Sequence, residues 1–293
     1  MGRDQYYPAG QGGAELDVGP AFDTDGAFDY LYRNANPVEH ARLAHWKGEA
    51  DTTIFWRTFE RYQNPDGGWA HGIEPDYQGQ ESSIQSTLEA LRIMVTHHQA
   101  DHPSVGRTVQ FLRQNMLPDG TWQERQECLD AGAPDWYQPA KYRLWETASI
   151  AGYCLELGFT EVWSSAARYV RSVWREVPPP DSAHHYWATL LLLGRSHSDQ
   201  DRTISRECIE AFKHFIRRER IDAYDCSWII EVITTMDLDD SYTLLPQLGD
   251  MLASSQEPGG GVRSAYGEHF TSRTTFNALM AVALLNQSLS RVR

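Results

Sequence analysis

Carboxylates, imidazoles and aromatic rings recur at one kind of position in this chain, the entrance to a strongly apolar segment of helical length. Asp222, Tyr224, Asp225 and Trp228 lead into or open CSWIIEVITTM, and His184, His185 and Tyr186 open HYWATLLLLG. Trp136, Tyr137 and Glu146 lead into ETASIAGYCLELG, Glu81 precedes SSIQSTLEALRIMV, and His269 and Arg273 open TTFNALMAVALL. Carboxyl and imidazole groups gathered at a partly enclosed mouth shift one another's proton affinity, as acid–base chemistry requires. Aromatic faces beside them can stabilise a developing carbocation. The candidate catalytic groups are therefore Asp225, Asp222, His184, His185, His269, Glu81 and Glu146. The candidate substrate-binding groups are Trp136, Tyr137, Tyr186, Tyr224, Trp228 and Arg273. Asp76, Tyr77 and Lys141 fall in the same neighbourhoods.

Each candidate also has a plainer use. Asp and Glu at a helix start accept its unpaired N–H groups and suit its dipole, so Glu81 and Asp225 can serve as caps. Arg273, inside an apolar helix, needs an anionic partner, and Asp225 or Glu146 is the natural choice. A packed histidine or a cavity-lining tryptophan needs no catalytic role. The acidic run Asp237-Leu238-Asp239-Asp240 follows the helix that Asp225 opens and reads as a structural turn.

The elements that position these groups come in pairs. Amphipathic segments such as TTIFWRTFERY and VGRTVQFLRQNM alternate with more continuously apolar ones, with Gly/Pro punctuation at a spacing of about fifty residues. A helix with one apolar stripe sits outside, and one apolar on most faces is enclosed on both sides. Five such pairs are visible, and Phe28 to Trp46 supplies about one more. The pattern predicts an all-α chain, an α/α toroid of about six inner and six outer helices. Residues 1–22 are expected to be a flexible lead-in and 23–293 a single domain. The connection from Pro118 to Arg143 is long enough to form a lid.

Composition narrows the partners. The 293 residues carry 26 Lys+Arg against 40 Asp+Glu, a formal charge of −14. That balance speaks against nucleic acid and against anionic membrane surfaces. No apolar run reaches about 18 residues, so no membrane span is expected. The start, MGRDQYYPAGQGGAELD, lacks the apolar core of a secretion signal, which points to the cytoplasm. Cys128, Cys154, Cys208 and Cys226 show no metal-binding spacing and read as reduced, buried thiols.

The segment Gln63 to Trp69, QNPDGGW, with the related LPDGTW (Leu117–Trp122) and QEPGGGV (Gln256–Val262), resembles the QW repeat of the squalene–hopene cyclase and protein prenyltransferase superfamily. The resemblance runs from about residue 50 onward as a rhythm of repeats. It implies the toroid, with the Gln tying a helix end to the next turn and the Trp plugging the gap between hairpins. Class II cyclases of that superfamily use a DxDD motif whose middle Asp protonates an alkene or epoxide. Asp222-Ala223-Tyr224-Asp225 stands in a comparable register, with Tyr224 at the place of the acid. Asp237–Asp240 is a literal DxDD but at the other end of its helix. The prenyltransferase branch implies a zinc held by Asp-x-Cys and a later His. Here Asp225 and Cys226 are adjacent, Arg273 stands where the His would be and His269 lies four residues upstream, so zinc is not expected.

These readings converge on an expected activity resembling that of terpene cyclases. An acid, Asp225 or Asp222, assisted by His184, His185 or His269, would start cyclisation or isomerisation of an isoprenoid or similarly apolar small molecule. No cofactor is expected, although a diphosphate substrate would bring Mg²⁺ with it. Two alternatives stay open, a lyase or hydrolase acting on a polar or sugar-like substrate, and a toroid that binds without catalysis. The oligomeric state is open too.

Overall fold

The computed structural model describes residues 21–137, 142–176, 183–218, 221–236 and 239–292, without the side chains of 239, 240 and 290–292. Nearly all of the expected lead-in, together with Lys141, Asp237 and Leu238, lies outside the described residues. Among those described there are thirteen α-helices and, in place of strands, isolated bridges only. In chain order the helices are α1 (Thr24–Asn34), α2 (Pro37–Trp46), α3 (Thr52–Phe59), α4 (Ile84–Thr96), α5 (Pro103–Gln114), α6 (Gln126–Asp130) and α7 (Arg143–Glu156). They continue as α8 (Trp163–Val173), α9 (His184–Leu193), α10 (Asp199–Arg217), α11 (Ala223–Met236), α12 (Leu245–Ser254) and α13 (Thr271–Val292).

Local chemistry sets the helix starts. Asp23 caps α1 through Gly26 N–H, and Asn36 caps α2 through Glu39 N–H, with Pro37 in the first turn where its missing N–H costs nothing. Ser83 caps α4 through Ser86 N–H at 3.1 Å. The two helix types expected from the pattern are present. In α10 the buried Ile204, Cys208, Phe212 and Phe215 form one stripe, whereas α9 buries every residue from Trp187 to Leu193.

The chain divides into two compact units, Met1–Thr58 with Ile209–Arg293, and Phe59–Cys208. In the first unit α13 packs on α11, α1, α2 and α12. Its core includes Ala27, Leu31, Leu43, Phe276, Leu279 and Met280. In the second unit α7 packs on α9, α4 and α8. Gly152 permits the α7–α9 approach, since a Cβ there would stand 2.7 Å from Leu191 Cγ.

Two turns show why their sequences look alike. Gln63 Nε2 donates to Gly67 O at 3.1 Å, Ser104 O at 3.0 Å and Thr108 Oγ1 at 3.0 Å, tying its turn to the start of α5. Trp69 is fully buried, and its indole N–H donates to Thr108 Oγ1 at 2.8 Å. In the other unit Gln256 Nε2 donates to Gly260 O at 3.0 Å and to Asp23 O at 2.8 Å, and its Oε1 accepts from Asp23 N–H at 2.8 Å. The same carboxamide geometry thus joins the last repeat to the start of α1. Gly260, at φ +86°, is required there because a Cβ would stand 1.9 Å from Gly26 O.

The four cysteines are buried free thiols. No helix among the described residues is long and apolar enough to cross a membrane.

Candidate active site

Two acids three residues apart open α11, and their surroundings give them different work. Asp222 Oδ1 accepts from Asp225 N–H at 2.9 Å, and Asp222 Oδ2 accepts from Ala265 N–H at 3.0 Å. The backbone N–H of Tyr224 and the Ser264 hydroxyl add to this set. Asp222 is therefore the helix cap. Burial pushes its carboxyl up, while these donors pull it back. Asp225 is also buried. Burial first, and then the charge of Asp222, push its carboxyl well above the usual range, and a hydrogen bond from the Tyr266 hydroxyl offsets this only in part. A nearby carboxylate and burial both favour the protonated form of Asp225.

Aromatic rings gather at the start of α11, the helix that carries Asp225. The Tyr224 ring lies 4.8 Å from that of Trp228 and 5.7 Å from those of Tyr266 and Phe270, the last two edge-on. Tyr224, Trp228 and Phe270 are buried, and Tyr266 is 42% exposed. A carboxylic acid on such a helix start can deliver a proton, and ring faces can stabilise a cation formed near them.

Next to this group, α13 and α2 hold a buried ion cluster. Glu39 Oε2 accepts from Arg42 Nη1 at 2.8 Å, and Glu39 Oε1 accepts from Arg273 Nε at 2.9 Å. The two guanidiniums hold the Glu39 carboxyl below its ordinary value against the opposing effect of burial. Arg42 also lies over the Phe276 ring at 4.1 Å and donates to Asn277 Oδ1 at 3.4 Å. Arg273 thus pairs with Glu39, a partner not expected from the sequence, because α2 presents a carboxylate to the third residue of α13.

The second unit has its own acid. Glu146 is buried and accepts from Gln85 Nε2 at 2.7 Å. Burial, reinforced by the charge of Glu124, pushes its carboxyl well above the usual range. Glu124 accepts from Ser83 Oγ at 2.7 Å, Ile84 N–H at 3.0 Å and Gln85 N–H at 3.2 Å, so it closes the start of α4 alongside Ser83. Glu81, expected there as cap or acid, is exposed. The Trp145 ring lies 5.5 Å from His184 and 6.4 Å from Trp187. Burial, and then His185, push the His184 imidazole down to about 3, so it is neutral near pH 7. The Tyr186 ring turns away, edge-on to Trp174 at 5.9 Å.

The described part of the long connection carries α6 and packs on this unit. Trp136 Nε1 donates to Asp76 Oδ2 at 2.9 Å, and Tyr77, Cys128 and Tyr137 share a buried cluster. A groove of about 560 Å³ lined by Val109, Arg113, Phe159 and Glu161 carries none of the candidate residues.

Of the sequence candidates, Asp222, Tyr224, Asp225 and Trp228 come together, and Arg273 opens the neighbouring helix. His269 is exposed, on a turn beside Phe270. Burial pushes the Cys226 thiol well up. Among the described residues no three His, Cys, Asp or Glu are placed to hold a metal ion. Sequence reasoning missed Glu39, Arg42, Glu124 and Tyr266. Each is an ordinary polar residue in a helix or turn, made notable only by what a distant segment brings to it.

No protein-family model matches the chain, and no curated protein matches it. Solved structures do. A variant of the type II terpene cyclase MstE from Scytonema, in complex with geranylgeranyl dihydroxybenzoate as substrate, matches at TM-score 0.59 and 13% identity, covering 90% of this chain and 88% of that one. A second variant, in complex with merosterolic acid A as product, matches at TM-score 0.55 and 13% identity, covering 90% and 87%. MstE without ligand matches at 0.56 and 13%, covering 91% and 88%. At this identity the likeness shows the fold. The chain has the all-α fold of the terpenoid-cyclase type, the class expected from its repeats.

Proposed function

We propose that this protein is an acid-initiated cyclase or isomerase of an isoprenoid, with Asp225 as the proton donor. The observation that carries the reading is a buried carboxyl, its proton affinity raised by burial, on a helix start that also gathers the rings of Tyr224, Trp228 and Phe270. In the first step the O–H bond of Asp225 breaks and a C–H bond forms at a substrate alkene. Asp225 becomes a carboxylate, and the positive charge passes to the adjacent substrate carbon. Attack by the next double bond closes a ring, and loss of a proton from carbon ends the sequence. Ring faces near the cation contribute cation–π attraction without offering a nucleophile. The terpene cyclases that share the fold have been solved with prenylated substrate and product, which supports an isoprenoid class here. The aromatic rings gathered at the start of α11 favour this reading over a sugar-like substrate.

The test is incubation of the protein with farnesyl diphosphate, geranylgeranyl diphosphate and squalene, with and without Mg²⁺, and analysis of products by mass spectrometry. A cyclised or isomerised product that Asp225→Asn abolishes and Glu146→Gln retains supports the assignment. A product that survives Asp225→Asn and is lost in Glu146→Gln moves the acid to the second unit.

A further inference from the structure

We infer that Tyr266 is a proton relay for Asp225, the group through which solvent returns the proton that each turnover spends. The inference rests on the reading of Asp225 as the acid and adds a second residue to the reaction. Its basis is a contrast in exposure across one hydrogen bond. The Tyr266 hydroxyl donates to the Asp225 carboxyl, yet Asp225 is 6% exposed and Tyr266 is 42% exposed. A buried acid that has given up its proton must regain it through groups that reach water, and a phenol hydroxyl can both donate and accept. In the relay the Tyr266 O–H bond breaks as the Asp225 O–H bond forms. The phenol oxygen takes its replacement proton from hydronium or a buffer acid, so no charge stays on the ring. The proton lost from substrate carbon at the end of the sequence goes to solvent, one proton in and one out per turnover.

Asp222 holds the relay in place. Its Oδ2 accepts from Ala265 N–H at 3.0 Å and from Ser264 Oγ at 3.5 Å, and Ser264 Oγ accepts from Tyr266 N–H at 3.2 Å. The carboxyl that caps α11 through Asp225 N–H therefore also anchors the segment that presents Tyr266. Gly267 N–H donates back to Ser264 O at 3.4 Å, and Gly267 turns the chain straight after Tyr266 at φ +113°, a conformation that favours glycine. The Tyr266 ring lies 5.7 Å from that of Tyr224 and 6.0 Å from that of Phe270, so packing as well as hydrogen bonding sets its position. Asp222 is thus a positioning residue for both the acid and its relay.

The experiment compares the full chain with Tyr266→Phe, which deletes one oxygen from an exposed ring and whose folding is checked by thermal melt. The first readout needs no turnover. Infrared difference spectra against Asp225→Asn identify the C=O band of protonated Asp225, and rapid dilution into D₂O follows its isotope shift. Exchange should be slower in Tyr266→Phe by about tenfold or more. The second readout separates the first proton transfer from the recharging that follows it. With enzyme in excess over substrate, Tyr266→Phe should form product within about threefold of the wild-type rate, because Asp225 starts protonated. In steady state it should turn over about tenfold or more slowly than wild type, after a burst of about one product per enzyme. A ring that only packs would lower both rates together or neither. Equal exchange in the two proteins, or equal losses in the two rates, overturns the relay. A wild-type spectrum with no Asp225 band overturns the acid and the relay with it. Slowed exchange without product leaves the relay standing and counts against the cyclase reading, and product with equal exchange does the reverse.

Discussion

Asp222 Oδ1 accepts the backbone N–H of Asp225 at 2.9 Å, so one acid of the pair is spent on the helix that presents the other. The two should respond differently to substitution. Asp225→Asn is expected to lower turnover by about 10²–10⁴-fold, the usual worth of a general acid. Asp222→Asn keeps a good cap, whereas Asp222→Ala should cost about 1 kcal/mol in denaturant melts. Asp222→Asn also removes the charge that raises Asp225, so its alkaline activity limb should move to lower pH. Unchanged turnover in Asp225→Asn would return both residues to capping.

The raised carboxyls make a pH prediction. Burial raises the proton affinities of Asp225 and Glu146 in the folded state above the ordinary carboxylate range of the unfolded chain. Their stabilising effect is complete below that range and is lost as pH rises through the raised values. Asp225→Asn and Glu146→Gln should therefore melt progressively higher than wild type as pH is raised from about 5 to 8. A gap in calorimetric Tm that stays constant or narrows over that window would contradict the assigned protonation.

Glu39 between Arg42 and Arg273 should be costly to remove alone. Glu39→Gln leaves two buried guanidiniums without their carboxylate and is expected to destabilise by about 3–5 kcal/mol. Combining Glu39→Leu with Arg273→Met should cost less than Glu39→Leu by itself, because the second change removes a stranded charge. Additive losses in urea melts would show that the ions act separately.

Trp69 is fully buried and donates to Thr108 Oγ1 at 2.8 Å, which makes it a staple of the second unit rather than a ligand contact. Trp69→Ala should destabilise by about 3–5 kcal/mol. Ligand affinity measured at a temperature where the variant remains folded should not change.

The helices were legible because period and punctuation report burial directly. The runs opened by Ile84, His184 and Ala223 are apolar on nearly every face, and α4, α9 and α11 bury most of their residues. The closeness of Asp222, Tyr224, Asp225 and Trp228 was legible for the same reason, since one helix start holds all four. The partner of Arg273 was not legible, because 234 residues separate it from Glu39 and only packing of α2 on α13 joins them. The role of Glu124 was hidden likewise. It sits in an irregular stretch, and its three partners on Ser83, Ile84 and Gln85 belong to a helix start some forty residues earlier. Pattern reveals which face of an element is buried, but not which buried faces meet.

The central claim is that a proton from Asp225 starts the reaction, and reaction in D₂O tests it most directly. Asp225 exchanges its acidic hydrogen with solvent, so each cyclised or isomerised product should carry one deuterium at the carbon where the cation chemistry begins, and Asp225→Asn should form no such product. Product without deuterium, or labelled product formed equally by Asp225→Asn, would contradict the account.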